Sequence, residues 1–356
     1  MIAAMTFPLV ACVADRAVAP GTTPVWSAIP GGAIPIEQFD VLRLPTYDGG
    51  GETVHPTYIG PTSRWPTSTH YLFVTPYPRG ATAVENPSVF AGVDGATWDT
   101  LPQAPNPLVH PSAHGYLSDP EAVYEPDRNE IYLYYREVTD SNIIRMISSR
   151  DAVRWSQPIV VVAGPGQTVV SPAVVRKGPG NWLMWTVNAG RQGGAATTTK
   201  IDLRRSTDGV NWSAPQNVSL TQPGTWPWHL DVKWIPSRFQ YWAIYDGKRP
   251  GDCATDVLYM ATSPDGVTWT TYPTPVLTAG ATPALEDIVY RSTFAFDAAD
   301  DVITFWYSGA RYDGAGYTWS TVMQRRPRGE VFAQIAEPHA GATTARRRIP
   351  PLLNPP

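Results

Sequence analysis

The chain has 356 residues, of which 43% are hydrophobic and 16% are charged, and its formal net charge is −4 at pH 7. The length allows a large buried core, and the mild negative charge without a basic patch argues against nucleic acid as a partner. No apolar run reaches membrane-spanning length, and two cysteines, Cys12 and Cys253, exclude a disulfide scaffold. The 14 Trp, 17 Tyr and 37 Pro, with no long apolar 3.6-residue period, predict many short strands and almost no helix.

The N-terminal twelve residues, MIAAMTFPLVAC, are apolar and end at Cys12. This pattern is similar to a bacterial lipoprotein signal whose cysteine carries a lipid anchor, although it has no basic n-region. The alternative is an ordinary apolar N-terminal strand. We expect residues 1–35 to form a signal-like segment and a Pro/Ala/Gly-rich linker, and we expect the protein to be extracytoplasmic, either secreted or surface-anchored.

Four tryptophans recur at a constant spacing of 57 residues, and each follows an aspartate by four positions. The four stretches read VDGATW, RDAVRW, TDGVNW and PDGVTW, and their tryptophans are Trp98, Trp155, Trp212 and Trp269. A constant period indicates one supersecondary unit used repeatedly. Asp-Gly is a tight-turn signal because both residues tolerate a positive φ. We therefore predict that these turns have a structural role.

Each repeat contains short strand-like segments that alternate with turns. Repeat two, for example, has SDPEAVYEP (118–126), EIYLYYREV (130–138) and NIIRMISSRD (142–151) before its tryptophan strand. A fifth repeat over 290–326 has three such segments and lacks the Asp-turn-Trp element. Four-stranded antiparallel units in series are propeller blades, so the five repeats predict an all-β, five-bladed β-propeller over residues 36–326. The last repeat lacks an outer strand, and we expect the N-terminal segment near 39–45 to supply it and close the ring. Residues 327–356 are expected to wrap outside the ring as a Pro-rich tail.

The first strand of a propeller blade lines the central channel, and aligning the repeats places one residue of each at the channel mouth. These residues are His55, Asp119, Ser171, His229 and Arg291. Strand side chains have a period of two, so Thr57, Glu121, Ala173, Asp231 and Thr293 face the same way. Loops on that face carry Glu85 and Arg136. Burying charge is costly unless it is paired, so the cluster is either a functional polar pocket or a set of ion pairs that plug the channel.

The order HP, ENP, SDPEAVYEP, YYRE, SP, WHLD and YRSTF, with Asp-turn-Trp elements between, resembles the propeller superfamily of glycoside hydrolase families 43 and 32. The resemblance covers residues 50–325 and implies carboxylates on the first strands of blades one and two and an acidic residue near blade three. Blade two keeps its acid, Asp119, but His55 and Ser171 stand where the family has carboxylates. The Asp-turn-Trp element also resembles the Asp-box of sialidases, although five blades argue against that family.

The resemblance and the polar mouth together predict a glycoside hydrolase acting on an oligosaccharide or polysaccharide. Such hydrolysis needs two carboxyl groups, and the predicted catalytic residues are Asp119, Asp231 and Glu121. The predicted substrate-binding residues are His55, Glu85, Arg136, Ser171, His229 and Arg291, and the aromatics expected to stack on sugar rings are Trp65, Tyr77, Tyr116, Trp226 and Trp228.

Two alternatives to this glycosidase hypothesis stay open. No cofactor is required for it, but His55, His229, Asp119 and Asp231 could instead hold a metal ion such as Ca²⁺ or another divalent cation. The other alternative is a non-catalytic glycan-binding protein on a cell surface or a phage tail. The sequence does not distinguish these possibilities.

Overall fold

The computed structural model describes residues 38–61, 69–111, 115–220, 222–251 and 254–337. It confirms the predicted fold, since the strands form five antiparallel blades. The first strand in the chain, β1 (Asp40–Val41), belongs to the last blade. Blade one contains β2 (Thr53–Ile59), β3 (His70–Pro76), β4 (Ser88–Gly92) and β5 (Asp99–Thr100). Blade two contains β6 (Tyr116–Glu125), β7 (Glu130–Val138), β8 (Asn142–Ser149) and β9 (Ile159–Gly164).

The remaining blades follow the same order. Blade three contains β10 (Val170–Gly178), β11 (Asn181–Asn188), β12 (Lys200–Ser206) and β13 (Gln216–Val218). Blade four contains β14 (Trp226–Ile235), β15 (Gln240–Lys248), β16 (Thr255–Ser263), β17 (Thr270–Thr271) and β18 (Leu277–Thr278), the last of which also pairs with β16. Blade five contains β19 (Ile288–Asp297), β20 (Val302–Tyr312) and β21 (Tyr317–Pro327), and β1 pairs antiparallel with β21 as its outermost strand.

The first strands of neighbouring blades contact one another around the whole ring, from β2 through β6, β10, β14 and β19 back to β2. Each of these strands carries a β-bulge at the same level, where its pairing with the second strand shifts by one residue. Three bulge residues that precede a proline take a positive φ, namely His55 (57°), Asp119 (50°) and Ser171 (51°). Bulges redirect side chains beside functional sites, and here they lie at the channel mouth.

The repeated aspartates organise the turns after the third strands. In each turn, Oδ1 of the aspartate accepts hydrogen bonds from the backbone N–H groups two and three residues ahead. The turn glycine of three blades also accepts a hydrogen bond from the second strand of the preceding blade. The three donors are Trp306 to Gly95, Tyr134 to Gly209 and Trp185 to Gly266. The turns therefore join adjacent blades.

The turn of blade two departs from this pattern. It has Ala152 at φ 56° in place of glycine, and Phe73 on the preceding blade has no donor to offer. The indole Nε1 of Trp155 instead donates to the Ala152 carbonyl at 3.1 Å, and its ring packs edge-on against Phe73. Blades one and two therefore lack the hydrogen bond from second strand to turn that joins the other blades. Apolar side chains of the two blades pack against one another there.

Helix α1 (Arg328–Ala336) follows the last blade, where the sequence predicted a Pro-rich tail. Its buried Val331 and Ile335 join the core between blades four and five, and Phe332 packs on Trp242. The signal-like segment with Cys12, the linker to residue 35 and residues 338–356 lie outside the described residues. None of the helices in the described ranges is long and apolar enough to span a bilayer.

Candidate functional site

The register of the blades places the predicted channel-mouth residues at one structural level. In every blade, one first-strand residue pairs with the same position of the second strand. These residues are Thr57, Glu121, Ala173, Asp231 and Thr293. The mouth residue of each blade lies two positions before the paired one, and these are His55, Asp119, Ser171, His229 and Arg291. On each second strand, the residue two positions after the paired one lies beside the mouth residue of the same blade. In four blades these two residues are in contact. These partners are Thr75 with His55, Arg136 with Asp119, Asp246 with His229 and Ser308 with the Arg291 carbonyl.

His55 is buried at the mouth and is oriented through Nδ1. This nitrogen lies 3.2 Å from Glu85 Oε1 and 3.2 Å from Thr75 Oγ1. The Thr75 hydroxyl donates to the Val54 carbonyl, so it can only accept from His55. Both neighbours therefore place the proton on Nδ1 and leave a lone pair on Nε2. Burial lowers the pKa of His55 and favours this neutral form, and burial likewise raises the pKa of Glu85.

His229 is held in the same way from blade four. Its Nδ1 lies 2.9 Å from Asp246 Oδ2, and Asp246 Oδ1 accepts from the backbone N–H groups of Trp228 and His229 at 3.1 and 2.6 Å. Because an ionised carboxylate only accepts hydrogen bonds, this contact also places the proton on Nδ1. The predicted site residues did not include Asp246. Asp246 lies two residues after Ile244, the partner of Asp231 on the second strand, and this position could have identified it.

Asp119 of blade two lies between the two imidazoles and is completely buried. Its Oδ2 is held by Arg136 Nε at 3.1 Å, by the Ser118 hydroxyl at 3.3 Å and by the Ser171 N–H at 3.4 Å. Its Oδ1 has no hydrogen-bond partner among the described residues. Burial alone would raise the pKa of Asp119, but the charge of Arg136 holds it below its usual range. The carboxylate is therefore ionised, with one oxygen directed at the histidines.

Three lone-pair atoms converge at this point. Asp119 Oδ1 lies 3.3 Å from His55 Nε2 and 3.5 Å from His229 Nε2. Two ligand atoms on a tetrahedral ion, each about 2.0–2.1 Å from it, are about 3.3 Å apart. If Glu85 and Asp246 hold both Nδ1 protons, the two Nε2 atoms present lone pairs to an anionic oxygen, which is repulsive unless a cation lies between them. The three residues form the one His/Cys/Asp/Glu group of metal-binding geometry within the described ranges.

The surroundings of this His–Asp–His cluster fit a divalent cation. Three carboxyl groups, Glu85, Asp119 and Asp246, are buried around the histidines with one guanidinium, Arg136, so acidic groups outnumber basic ones there. Imidazole ligands whose second nitrogen donates to a carboxylate are typical of bound transition metals, because that contact fixes the tautomer and raises ligand basicity. Imidazole with carboxylate suits Zn²⁺, Fe²⁺ or similar ions better than Ca²⁺, which prefers six or more oxygens.

The structure divides the predicted site residues into two groups. His55, Glu85, Asp119, Arg136 and His229 meet at the mouth. Glu121 and Asp231 lie two residues farther along their strands, and the guanidinium of Arg291 reaches from mouth level to Glu121. Asp231 pairs with Lys233 Nζ at 2.9 Å and accepts from Thr293 at 2.7 Å. Asp231 is therefore not a member of the His–Asp–His cluster. The Ser171 hydroxyl donates to the Leu230 carbonyl at 3.5 Å and accepts from the Leu230 N–H at 3.3 Å.

The deeper group forms an ion-paired plug. Arg291 donates to the Pro120 carbonyl at 2.6 Å and to Glu121 and the Pro172 carbonyl at 3.0 Å each. Glu121 also contacts Lys233 at 3.3 Å. The two carboxylates of the plug are thus matched by Lys233 and Arg291, as expected if ion pairs seal the channel. Beyond Lys233, the opposite end of the channel opens into a mostly apolar pocket of about 430 Å³ that includes Trp234 and Phe294.

An aromatic wall flanks the histidines on the side of blades one, four and five. It consists of Tyr77, Trp319, Tyr290 and Trp228. Tyr77 and Tyr290 each pack edge-on against Trp319, with centroids 5.1 and 5.4 Å away, and Trp228 Nε1 donates to the Tyr290 hydroxyl at 3.2 Å. Of the aromatics predicted to stack on sugars, Tyr77 and Trp228 belong to this wall, Tyr116 lies under Arg136, and Trp65 falls outside the described residues.

Comparison with known proteins supports the same architecture. No family model matches the chain. A type A blood N-acetyl-α-D-galactosamine deacetylase of Flavonifractor plautii is 24% identical over 88% of this chain, which spans only 46% of that relative's length. The crystal structure of an N-acetylgalactosamine deacetylase from F. plautii, in complex with blood group B trisaccharide, superposes with a TM-score of 0.78 at 21% identity, covering 84% of this chain and 97% of that one.

Propeller glycosidases are more distant in structure. A thermostable family-43 glycoside hydrolase gives a TM-score of 0.57 at 13% identity, covering 77% of this chain and 89% of that one. The family-93 α-L-arabinofuranosidase of Fusarium graminearum gives 0.55 at 13% identity, covering 82% and 98%. These likenesses establish that the chain has the five-bladed propeller fold that carbohydrate-processing enzymes also use.

Proposed function

We propose that this protein is a metal-dependent hydrolase that removes the acetyl group from an N-acetylated sugar residue of a glycan. The observation that carries the proposal is the convergence of Asp119 Oδ1 with the Nε2 atoms of His55 and His229, at 3.3 and 3.5 Å. The deacetylase named among the similar proteins supports the reaction class, and the partly exposed rings of Tyr77 and Tyr290 in the aromatic wall suit the apolar faces of a sugar ring.

The reaction is the hydrolysis of an amide. The oxygen of water bonds to the acyl carbon, the carbon–nitrogen bond breaks, and the nitrogen takes a proton, so that the products are acetate and a free amino sugar. When bound, a divalent cation supplies Lewis acidity, which polarises an acyl oxygen and makes water a better nucleophile. His55, Asp119 and His229 would hold it, leaving further positions open as in other catalytic sites with three protein ligands.

The residues around the cluster determine its protonation and shape. Glu85 and Asp246 keep the Nε2 atoms of the histidines deprotonated by accepting from Nδ1. Arg136 and the Ser171 N–H hold Asp119 Oδ2, which turns Oδ1 toward the histidines. The positive-φ bulges at His55 and Asp119 fix the backbone beneath these side chains, and such strain at one level of the channel is typical of a preorganised site.

A glycosidase mechanism has less support from these contacts. It needs two carboxyl groups beside the scissile bond, about 5–9.5 Å apart, one of them able to donate a proton. Asp231 is occupied by Lys233 and Thr293, and Glu121 is occupied by Arg291 and Lys233 in the plug. The fold shared with family 43 keeps glycoside hydrolysis as the second candidate, and a glycan-binding role without turnover is the third.

The test is to load the purified protein with Zn²⁺, Mn²⁺ or Co²⁺ and measure acetate release from oligosaccharides ending in N-acetylgalactosamine or N-acetylglucosamine. We expect acetate release that EDTA abolishes, and bound metal near one equivalent that His55→Ala and His229→Ala remove. The matched control is Asp231→Asn, which lies outside the cluster. Nitrophenol release from aryl glycosides by the EDTA-treated protein would support the glycosidase instead. Glycan binding without either product, with no metal bound, would contradict the proposal.

A further inference from the structure

Tyr290 is the residue before the bulge of β19 and contacts both histidines of the cluster. Its ring centroid lies 4.2 Å from that of His229, edge to face, and 5.4 Å from that of His55. It is the one aromatic side chain of the described residues whose ring contacts both imidazoles. The phenol ring therefore lies directly against both imidazoles of the cluster.

The hydroxyl of Tyr290 uses only its acceptor capacity within the described residues. A phenol oxygen has one O–H donor and can also accept, and here it accepts from Trp228 Nε1 at 3.2 Å. No acceptor for the Tyr290 proton exists among the residues that the structure describes. The O–H is thus left to donate to something other than the protein.

The neighbours of Tyr290 hold it rigidly. Trp319 packs edge-on against its ring at 5.4 Å, and Tyr77 also packs edge-on against Trp319, at 5.1 Å. Trp319 Nε1 is itself buried with no hydrogen-bond partner in the described part of the chain. Two unused donors on one fixed wall, next to a cluster of lone-pair acceptors, are arranged for a ligand that brings oxygen atoms of its own.

We propose that Tyr290 donates its O–H to the acyl oxygen of the substrate and stabilises the negative charge that develops there as water attacks the acyl carbon. This role rests on the proposed deacetylation. The tyrosine keeps its proton throughout, so no bond to Tyr290 forms or breaks. A preorganised donor of this kind acts mainly on the transition state, because the acyl oxygen gains charge only during the reaction.

The kinetic test is Tyr290→Phe, which keeps the ring against both histidines and removes only the hydroxyl. Loss of one oxyanion donor lowers kcat by about 10²–10³-fold, and we expect a decrease of that size in Tyr290→Phe. KM should change by less than about threefold, and the metal content should stay the same. The matched control is Tyr307→Phe on β20 of the same blade, whose buried hydroxyl has no hydrogen-bond partner among the described residues. That control is expected to keep wild-type kcat.

A second measurement separates failure of this role from failure of the proposed function. Acetate, the expected product, is titrated into the metal-loaded protein while the indole N–H resonance of Trp228 is followed by ¹⁵N NMR, assigned with Trp228→Phe. We expect a saturable shift in the wild type that weakens at least tenfold in Tyr290→Phe. An unchanged acetate response together with kcat within threefold of wild type would overturn the role of Tyr290. If the wild type releases no acetate from any sugar but its acetate response depends on Tyr290, the donor role stands and deacetylation fails.

Discussion

His55 and His229 come from blades one and four, yet their ring centroids lie 5.3 Å apart at the channel mouth. Each is held at Nδ1 by a carboxylate of its own blade, Glu85 or Asp246. Both Nε2 atoms therefore face the same oxygen of Asp119, which comes from blade two. No local sequence motif contains this arrangement, since closing the ring brings the three blades together.

Asp246 and Asp231, both acids of blade four, are expected to differ in their effect on metal binding. Asp246→Asn removes the anionic acceptor behind His229, and loss of such a partner typically lowers metal affinity by about 10–100-fold. Asp231→Asn is expected to leave the affinity within about twofold, because Asp231 contacts Lys233 and Thr293 instead. It should lower the free energy of unfolding by roughly 1–3 kcal/mol, since Lys233 loses a buried partner. Competition with a chromogenic chelator and urea unfolding measure the two effects, and equal metal affinities would contradict the assignment.

The blade turns predict opposite effects for two small substitutions. In Gly266→Ala, the new Cβ at φ 76° would lie 2.7 Å from Trp185 Cζ2, so both the backbone and the ring must shift. We expect a loss of roughly 2–4 kcal/mol in the free energy of unfolding. Ala152→Gly relieves a non-glycine residue at φ 56° and is expected to be neutral or stabilising, by up to about 1 kcal/mol. Urea unfolding of both variants would contradict the interpretation if Ala152→Gly were the more damaging.

The turn aspartates predict acid sensitivity of the fold. Hydrogen bonds from the backbone N–H of Arg154 and then Val153 lower the pKa of Asp151 from 3.8 to about 2. A carboxyl whose folded-state pKa is depressed stabilises the fold above its unfolded pKa, and that contribution disappears as the pH falls through the folded pKa. Wild type should therefore exceed Asp151→Asn in stability at about pH 5–7, by at most about 1 kcal/mol because the turn is solvent-exposed.

That difference between wild type and Asp151→Asn is expected to vanish near pH 2, and thermal unfolding across this range measures it. The control is Asp99→Asn, an exposed residue of β5 that makes no turn of this kind. A difference that grows on acidification would rule out the stabilising role of the ionised carboxyl.

Helix α1 is expected to be part of the folding unit rather than an appendage. Ile335 is fully buried between blades four and five, so Ile335→Ala should lower the free energy of unfolding by roughly 2–4 kcal/mol. The matched control in the same helix is Glu330→Ala, at an exposed position, which should change stability by less than about 0.5 kcal/mol. Chemical denaturation monitored by tryptophan fluorescence compares them, and equal effects would show that the helix does not contribute to the core.

The sequence by itself determined the repeat architecture. The Asp-turn-Trp stretches are local signals, because an aspartate that accepts from N–H groups two and three residues ahead needs only its own neighbours. Their spacing predicted four blades, and the strand segments of 290–326 added a fifth. Aligning these repeats placed His55, Asp119 and His229 on first strands. The nine-residue helix α1 was not predicted, since two apolar positions four residues apart do not distinguish a helix from an extended tail.

Only the tertiary structure decided which of these residues act together. Asp231 and Asp246 both lie on blade-four strands beside the channel, and nothing local indicates that Asp246 supports His229 while Asp231 pairs with Lys233. The same holds for Arg136, which orients Asp119, and Arg291, which seals the channel below it. Strand pairing and turns are encoded by neighbouring residues, whereas contacts across a channel depend on how five blades close into a ring and on where each bulge directs its side chain.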